Sequence, residues 1–176
     1  MRIPVATLAF LLVAGSIPAA EPALEGATRH FVWLTPTVAG GGAVSEPGYR
    51  ILADAGIRTI IDLRDDADDV AAARAEAHAA GQDYFNLPIG REAPSPEVVE
   101  RFGELMEHAD AAPVYFHCVS GARAGTLWAI YRRGEGASVD QAIEEGRRVG
   151  LSEARESQVR DYQVPTSRLG VSTPRD

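Results

Sequence analysis

Short apolar runs of strand length alternate with helix-length segments along this chain, and that alternation limits the fold more than any other feature of the sequence. Residues 31–34 with Val38, residues 58–63, residues 83–89 and residues 113–116 read as strands, each rich in β-branched or aromatic residues. Between them lie segments with helix start and stop signals. Strands joined through helices require crossover connections, so the expected fold class is α/β, a mainly parallel sheet flanked by helices on both faces. Ligands of such sheets bind beyond the carboxyl ends of the strands. Three loops should therefore meet at one site: Arg64 to Asp66, Gly90 to Pro94, and His117 to Arg123.

The helix signals are specific enough to place boundaries. Ser45 can cap a helix with Glu46 and Pro47 in its first turn and Gly56 as its stop. An Ala-rich helix follows Asp66 and ends at Gly81. Ser95-Pro96 opens a helix that turns Val98, Val99, Phe102, Leu105 and Met106 inward. A further helix runs from Ala122 to about Arg133, Ser138 with Gln141 forms a capping box for another, and Ser152 to Tyr162 is the last. No internal repeat or internal linker divides residues 31–164, which read as one domain between a polar linker at 21–30 and a tail at 165–176.

Residues 1–20 have the order of a secretory signal: Arg2, an apolar run from Val5 to Ala14, then small residues to Ala20. The expected location is the periplasm or the exterior, with no stable membrane insertion after cleavage, because the run is shorter than the ~20 residues of a spanning helix. A net charge of −8 argues against wholesale attraction to nucleic acid, so any phosphate site must be local. Only one cysteine is present, Cys118, and no intramolecular disulfide can form. The histidines show no metal-ligand spacing, and no metal or other cofactor is expected.

Cys118 stands where the strand at 113–116 gives way to a helix. A turn of this kind points several backbone N–H groups inward, and the helix dipole adds partial positive charge. Gly121 allows the bend, Ser120 offers a hydroxyl, and Arg123, five residues after the cysteine, supplies a planar fork suited to a tetrahedral oxyanion. A thiol at such a mouth is favoured as thiolate, hence as nucleophile. A free cysteine is commonly a small apolar core residue, but the sequence His117-Cys118 with Gly121 and Arg123 after an apolar strand favours a catalytic role. His117 either orients the loop through backbone hydrogen bonds or is a packed polar residue.

The segment from about Gly41 to Leu151 resembles the bacterial branch of the dual-specificity-like cysteine phosphatases, within the protein tyrosine phosphatase superfamily, including the domain labelled beta-lactamase-hydrolase-like. The matching stretches are residues 42–45 (Gly-Ala-Val-Ser), 55–64 (Ala-Gly-Ile-Arg-Thr-Ile-Ile-Asp-Leu-Arg), 81–89 (Gly-Gln-Asp-Tyr-Phe-Asn-Leu-Pro-Ile) and 117–129, beginning His-Cys-Val-Ser-Gly-Ala-Arg. The resemblance implies the dual-specificity phosphatase architecture and a phosphorylated protein or small phosphate ester as substrate. It implies that Cys118 attacks phosphorus to give a phosphocysteine and that Arg123 binds the oxyanion. It also implies that Val119, Ser120, Gly121, Ala122 and Ala124 line the phosphate-binding loop.

Two departures from the family pattern bear on chemistry. Four residues separate Cys118 from Arg123 where five are usual, and the shorter ring is that of rhodanese-type sulfurtransferases, in which the cysteine carries a persulfide. The loop that should hold an Asp general acid reads Gly90-Arg-Glu-Ala-Pro94, leaving Glu92 as its carboxylate. A catalytically weak anion- or phosphoprotein-binding module is the reading left if no acid acts. Asp62, Asp65 and Asp66 could approach the site from the neighbouring loop, although a strand-end charge cluster is usually just solvated, and Arg64 could add positive potential beside the cradle.

Overall fold

A computed structural model describes Leu24 and residues 26–164, so the leader and the tail lie outside the described residues. Five strands form one sheet: β1 (Phe31–Trp33), β2 (Val38–Gly41), β3 (Thr59–Asp62), β4 (Asp83–Asn86) and β5 (Val114–His117). Their order across the sheet is β1-β2-β5-β3-β4. β2, β5, β3 and β4 are mutually parallel, and only the edge strand β1 is antiparallel to its neighbour. The expected mainly parallel sheet is thus present, with a short hairpin added at one edge.

From residue 48 onward the described chain has six helices: α1 (Gly48–Asp54), α2 (Ala67–Ala79), α3 (Pro96–Met106), α4 (Ala122–Gly134), α5 (Val139–Val149) and α6 (Glu153–Asp161). Alternation along the strands sorts their side chains between two cores. Ile60 and Tyr115 point into the layer built with Tyr49, Leu52, Val70 and Ala77 of α1 and α2. Ile61, Val114, Phe116 and Cys118 point the other way, against Phe102, Leu127, Ile130, Ile143 and Val159 of α3 to α6. Asp62 and His117 are register partners in adjacent strands. No helix among the described residues is long and apolar enough to cross a membrane.

Local signals are realised at most boundaries. Ser95 accepts a hydrogen bond from Val98 N–H at the start of α3, and Ser138 and Gln141 form a reciprocal capping box on α5. Ser45 does not cap α1. Its hydroxyl donates instead to Ala27 O at 3.0 Å, and the helix begins after Pro47 without a side-chain cap. That bond belongs to a larger difference: Leu24, Ala27 and Thr28, within the stretch expected to be linker, are buried. Thr28 bridges Val44, so the described domain starts before residue 31.

Candidate active site

Because β2, β5, β3 and β4 run in one direction, the loops that follow β5, β3 and β4 emerge at one edge, as the sequence pattern required. β5 ends at His117, residues 118–121 make the turn, and α4 starts at Ala122. Gly121 holds the turn in the left-handed region at φ 94°, a conformation that costs an ordinary L-residue roughly 1–2 kcal/mol. A Cβ there would also lie 2.4 Å from Val149 O. So bent, the chain aims the Gly121 N–H at Cys118, donating to Sγ at 3.2 Å. Cys118 is 1% exposed, in contact with the core below and the amide above. The sulfur therefore sits at a strand end, facing the Gly121 N–H and the first turn of α4.

The wall behind the turn is backbone rather than side chain. A Cβ on Gly125 would lie 2.4 Å from both Gly146 O and Leu151 N, so α4 and α5 cross with backbone against backbone at this point. Gly150, at φ 125°, then reverses the chain against Gly121. Ala124 is fully buried in the core, so its methyl is not part of any cradle surface and only its backbone can face an anion. Val119, 45% exposed, and Ser120, also exposed, form the outer rim.

Arg123 projects from the first turn of α4. Its Nη1 donates to Ile89 O at 2.7 Å and to Asp65 Oδ1 at 2.9 Å. Asp65, one of the strand-end carboxylates that could approach the site, is thus the partner of Arg123, whose hydrogen bond holds its carboxyl below the usual carboxylate range. Glu92 is exposed in the loop after β4. Arg155 of α6 lies within the electrostatic reach of Arg123, Cys118 and Glu92, and burial followed by repulsion from Arg123 lowers its own affinity for a proton. The structure thus ties Arg123 to Asp65 and to the loop after β4 that carries Glu92, and brings Arg155 of α6 to the same loop.

Asp62 and Arg64 differ from their expected roles. Asp62 is fully buried, not solvated, and accepts from Arg64 Nε at 3.0 Å, Arg64 Nη2 at 2.6 Å, the Arg64 backbone N–H at 2.9 Å and Tyr84 Oη at 2.5 Å. Burial alone would raise its proton affinity, but the Arg64 bonds, then His117 and Tyr84, hold the carboxyl below its ordinary value. Arg64 is accordingly spent on Asp62 and lends little free potential to the cradle. His117 stacks on Tyr115 and its Nδ1 lies 3.3 Å from Cys118 O, a contact that requires the proton on Nδ1. Its Nε2 has no partner within hydrogen-bond range among the described residues and lies 3.9 Å from Asp62 Oδ2. Burial depresses the basicity of the ring more than Asp62 restores it, so the imidazole is neutral near pH 7. His117 thus orients the backbone of the cysteine, the first of the two roles its position allowed.

Sequence spacing allowed Asp65 to approach this site from the neighbouring loop without naming its partner, and gave no sign of Arg155. Arg155 meets Gly90 across 65 positions of chain and Arg123 meets Asp65 across 58, pairings that only the sheet order creates.

Residues 34–163 match a family model described as a DSP-PTPase phosphatase fused to NAD+ kinase. Among curated proteins, the chain is 40% identical over 86 residues to a rice (Oryza sativa subsp. japonica) protein named probable NAD kinase 2, chloroplastic. That match covers 46% of this chain and 9% of the plant protein's length. Among solved structures, the chain is similar to TpbA of P. aeruginosa, in complex with phosphotyrosine, at 22% identity and a TM-score of 0.65, covering 86% of this chain and 93% of TpbA. A candidate phosphatase of Neisseria meningitidis is 26% identical with a TM-score of 0.63, covering 73% and 94%. The catalytic core of the PP-IP phosphatase Siw14 of S. cerevisiae, in complex with citrate, is 13% identical with a TM-score of 0.61, covering 76% and 85%.

Proposed function

This chain belongs to the family of DSP-PTPase phosphatases, and we propose that it is a cysteine-dependent phosphatase in which Cys118, Arg123 and Glu92 divide the chemistry of phosphate-ester hydrolysis between them. The observation that carries the assignment is the Gly121 N–H held on Cys118 Sγ at the junction of β5 and α4. The sulfur attacks phosphorus and the ester P–O bond breaks. Glu92 gives its proton to the departing oxygen. Water then attacks the phosphocysteine, giving a proton to the Glu92 carboxylate; the S–P bond breaks, the Cys118 thiolate is restored and inorganic phosphate leaves. Through both displacements the amides of residues 119–124 and the Arg123 guanidinium hold the equatorial oxygens, supplying charge stabilisation by position. Asp65 keeps the Arg123 fork extended toward the loop edge until an anion competes for it.

The substrate we propose is a phosphorylated protein or a small phosphate ester. The complex of TpbA with phosphotyrosine supports an aryl phosphate as the first compound to test. The signal-like order of residues 1–20 supports action in the periplasm or outside the cell, which the N-terminal sequence of protein recovered from a periplasmic fraction tests. The catalytic assignment is tested with p-nitrophenyl phosphate and mass spectrometry of trapped enzyme. Wild-type protein is expected to turn over, to be blocked by vanadate and to gain the mass of a phosphoryl group at Cys118, while Cys118→Ser is inactive. Undiminished hydrolysis by Cys118→Ser refutes the assignment. A persulfide formed from thiosulfate, with no phosphoryl adduct, assigns the short four-residue ring to sulfur transfer instead.

A further inference from the structure

Three successive carbonyls of the loop after β4 are each held by a side chain from elsewhere. Ile89 O accepts from Arg123 Nη1 at 2.7 Å, Gly90 O from Arg155 Nη2 at 2.9 Å, and Arg91 O from Gln158 Nε2 at 2.8 Å. Arg155 and Gln158 are three residues apart on one face of α6, and Arg155 Nη1 donates to Gln158 Oε1 at 3.0 Å, so the two donors are fixed relative to each other. The next residue of the loop is Glu92. Residues 90–94 belong to no helix or strand, and these bonds are what the loop has in place of a ladder.

We infer that Arg155 and Gln158 are positioning residues, a clasp from α6 that sets Glu92 at the height of the leaving oxygen while Arg123, gripping the preceding carbonyl, ties the same loop to the phosphate cradle. This rests on the reading of Glu92 as the proton donor. An acid acts only within hydrogen-bond reach of the atom it protonates, so a loop displaced by an ångström or two forfeits its contribution without touching the nucleophile. The Arg123 contact couples the two events. An anion that draws the Arg123 fork inward pulls on Ile89 O, and through it on the segment leading to Glu92. The clasp at residues 90 and 91 keeps that pull from swinging the carboxyl away.

The distinguishing measurement is the dependence of kcat on leaving-group basicity across a series of aryl phosphates, because a poor leaving group needs the proton and a good one does not. For wild type the dependence is expected to be shallow. Arg155→Met with Gln158→Leu is expected to lose about tenfold in kcat on phenyl phosphate and less than about twofold on 2,4-dinitrophenyl phosphate, with the limb of the pH profile that reports the acid weakened in parallel. Glu92→Gln should show the same steepening, and adding the clasp substitutions to it should change nothing further. Arg155→Lys, which keeps one donor for Gly90 O, should recover part of the rate on phenyl phosphate. A merely structural role would lower both substrates equally along with melting temperature. An unchanged leaving-group slope in the folded clasp variant overturns the inference, as does a further loss when it is combined with Glu92→Gln. If Glu92→Gln itself shows no leaving-group effect while Cys118→Ser is inactive, the proton donor has been misassigned and the clasp falls with it. Retained activity in Cys118→Ser would instead overturn the underlying mechanism.

Discussion

Replacing Asp62 with Asn leaves the shape of the side chain intact and removes the charge on which a buried arginine depends. Arg64 gives Asp62 both its Nε and Nη2, is itself only 13% exposed, and has as its other carboxylate Asp69, 3.6 Å away and largely in solvent. An amide in place of the carboxylate must turn its NH2 toward one of the two oxygen positions. At one it meets the Arg64 Nη2 and the Tyr84 hydroxyl, at the other the Arg64 backbone N–H. Nε faces both, so donor confronts donor either way. Breaking a buried pair by removing one partner costs about 3–5 kcal/mol. The residual access of Arg64 to water and to Asp69 places this case near the lower end, about 3 kcal/mol. With unfolding entropies of roughly 2 cal/mol/K per residue, that loss lowers the melting temperature of a domain this size by roughly 10 °C. Calorimetry of wild type, Asp62→Asn, Arg64→Met and the double variant checks it. The double variant should be more stable than the sum of the single losses predicts, because neither charge is left alone in the interior. A shift below about 3 °C in Asp62→Asn, or strict additivity in the cycle, refutes the account of this network.

Acid sensitivity should begin at His117. Its folded-state proton affinity is depressed, so below about pH 6.5 the unfolded chain takes up a proton that the folded chain refuses, and stability falls as pH drops. Asp62, also depressed, adds a second loss only once the pH passes below the ordinary carboxylate range, about pH 4. Melting temperatures between pH 7.5 and 5 should therefore decline in wild type and less in His117→Asn; equal slopes count against a neutral buried imidazole. Gly125→Ala should cost about 3 kcal/mol, since its methyl meets backbone of α5 and of Leu151 rather than a yielding side chain, and a denaturant midpoint within error of wild type would contradict the close crossing. Asp65→Asn frees Arg123 from a competing anion and should tighten vanadate inhibition on the order of two- to fivefold at low ionic strength. Weaker inhibition would mean that Asp65 orients the fork rather than competing for it.

What could be read in advance follows from what is local. The alternation of β-branched runs with capped helices determines a parallel sheet with its loops at one edge, and the Cys118 to Arg123 turn is contiguous, so its role needs no partner from elsewhere. Ser95 and Ser138 cap their helices with partners a few residues away in the chain, which a local pattern can show. Ser45 instead donates to the carbonyl of Ala27, a partner 18 residues away that no local pattern reveals. Asp62 illustrates the same limit. A carboxylate after an apolar run looks like the solvated end of a strand, and only the burial of Tyr84 and His117 on its face of the sheet makes it an interior anion. Arg155 stands on a helix whose charges suggest a solvated surface, and its meeting with Gly90 depends on how α4 to α6 fold back over the sheet.

The backbone wall behind Cys118 has a consequence for the order in which the protein comes into being. Val149 and Gly150 press directly on Gly121, yet they are made about thirty residues later on the ribosome. A chain that has emerged only through α4 holds the cysteine and the arginine without the surface that fixes the curve between them. The turn that carries the Gly121 N–H to the sulfur thus gains its backbone wall only from residues 149 and 150, which follow it in synthesis.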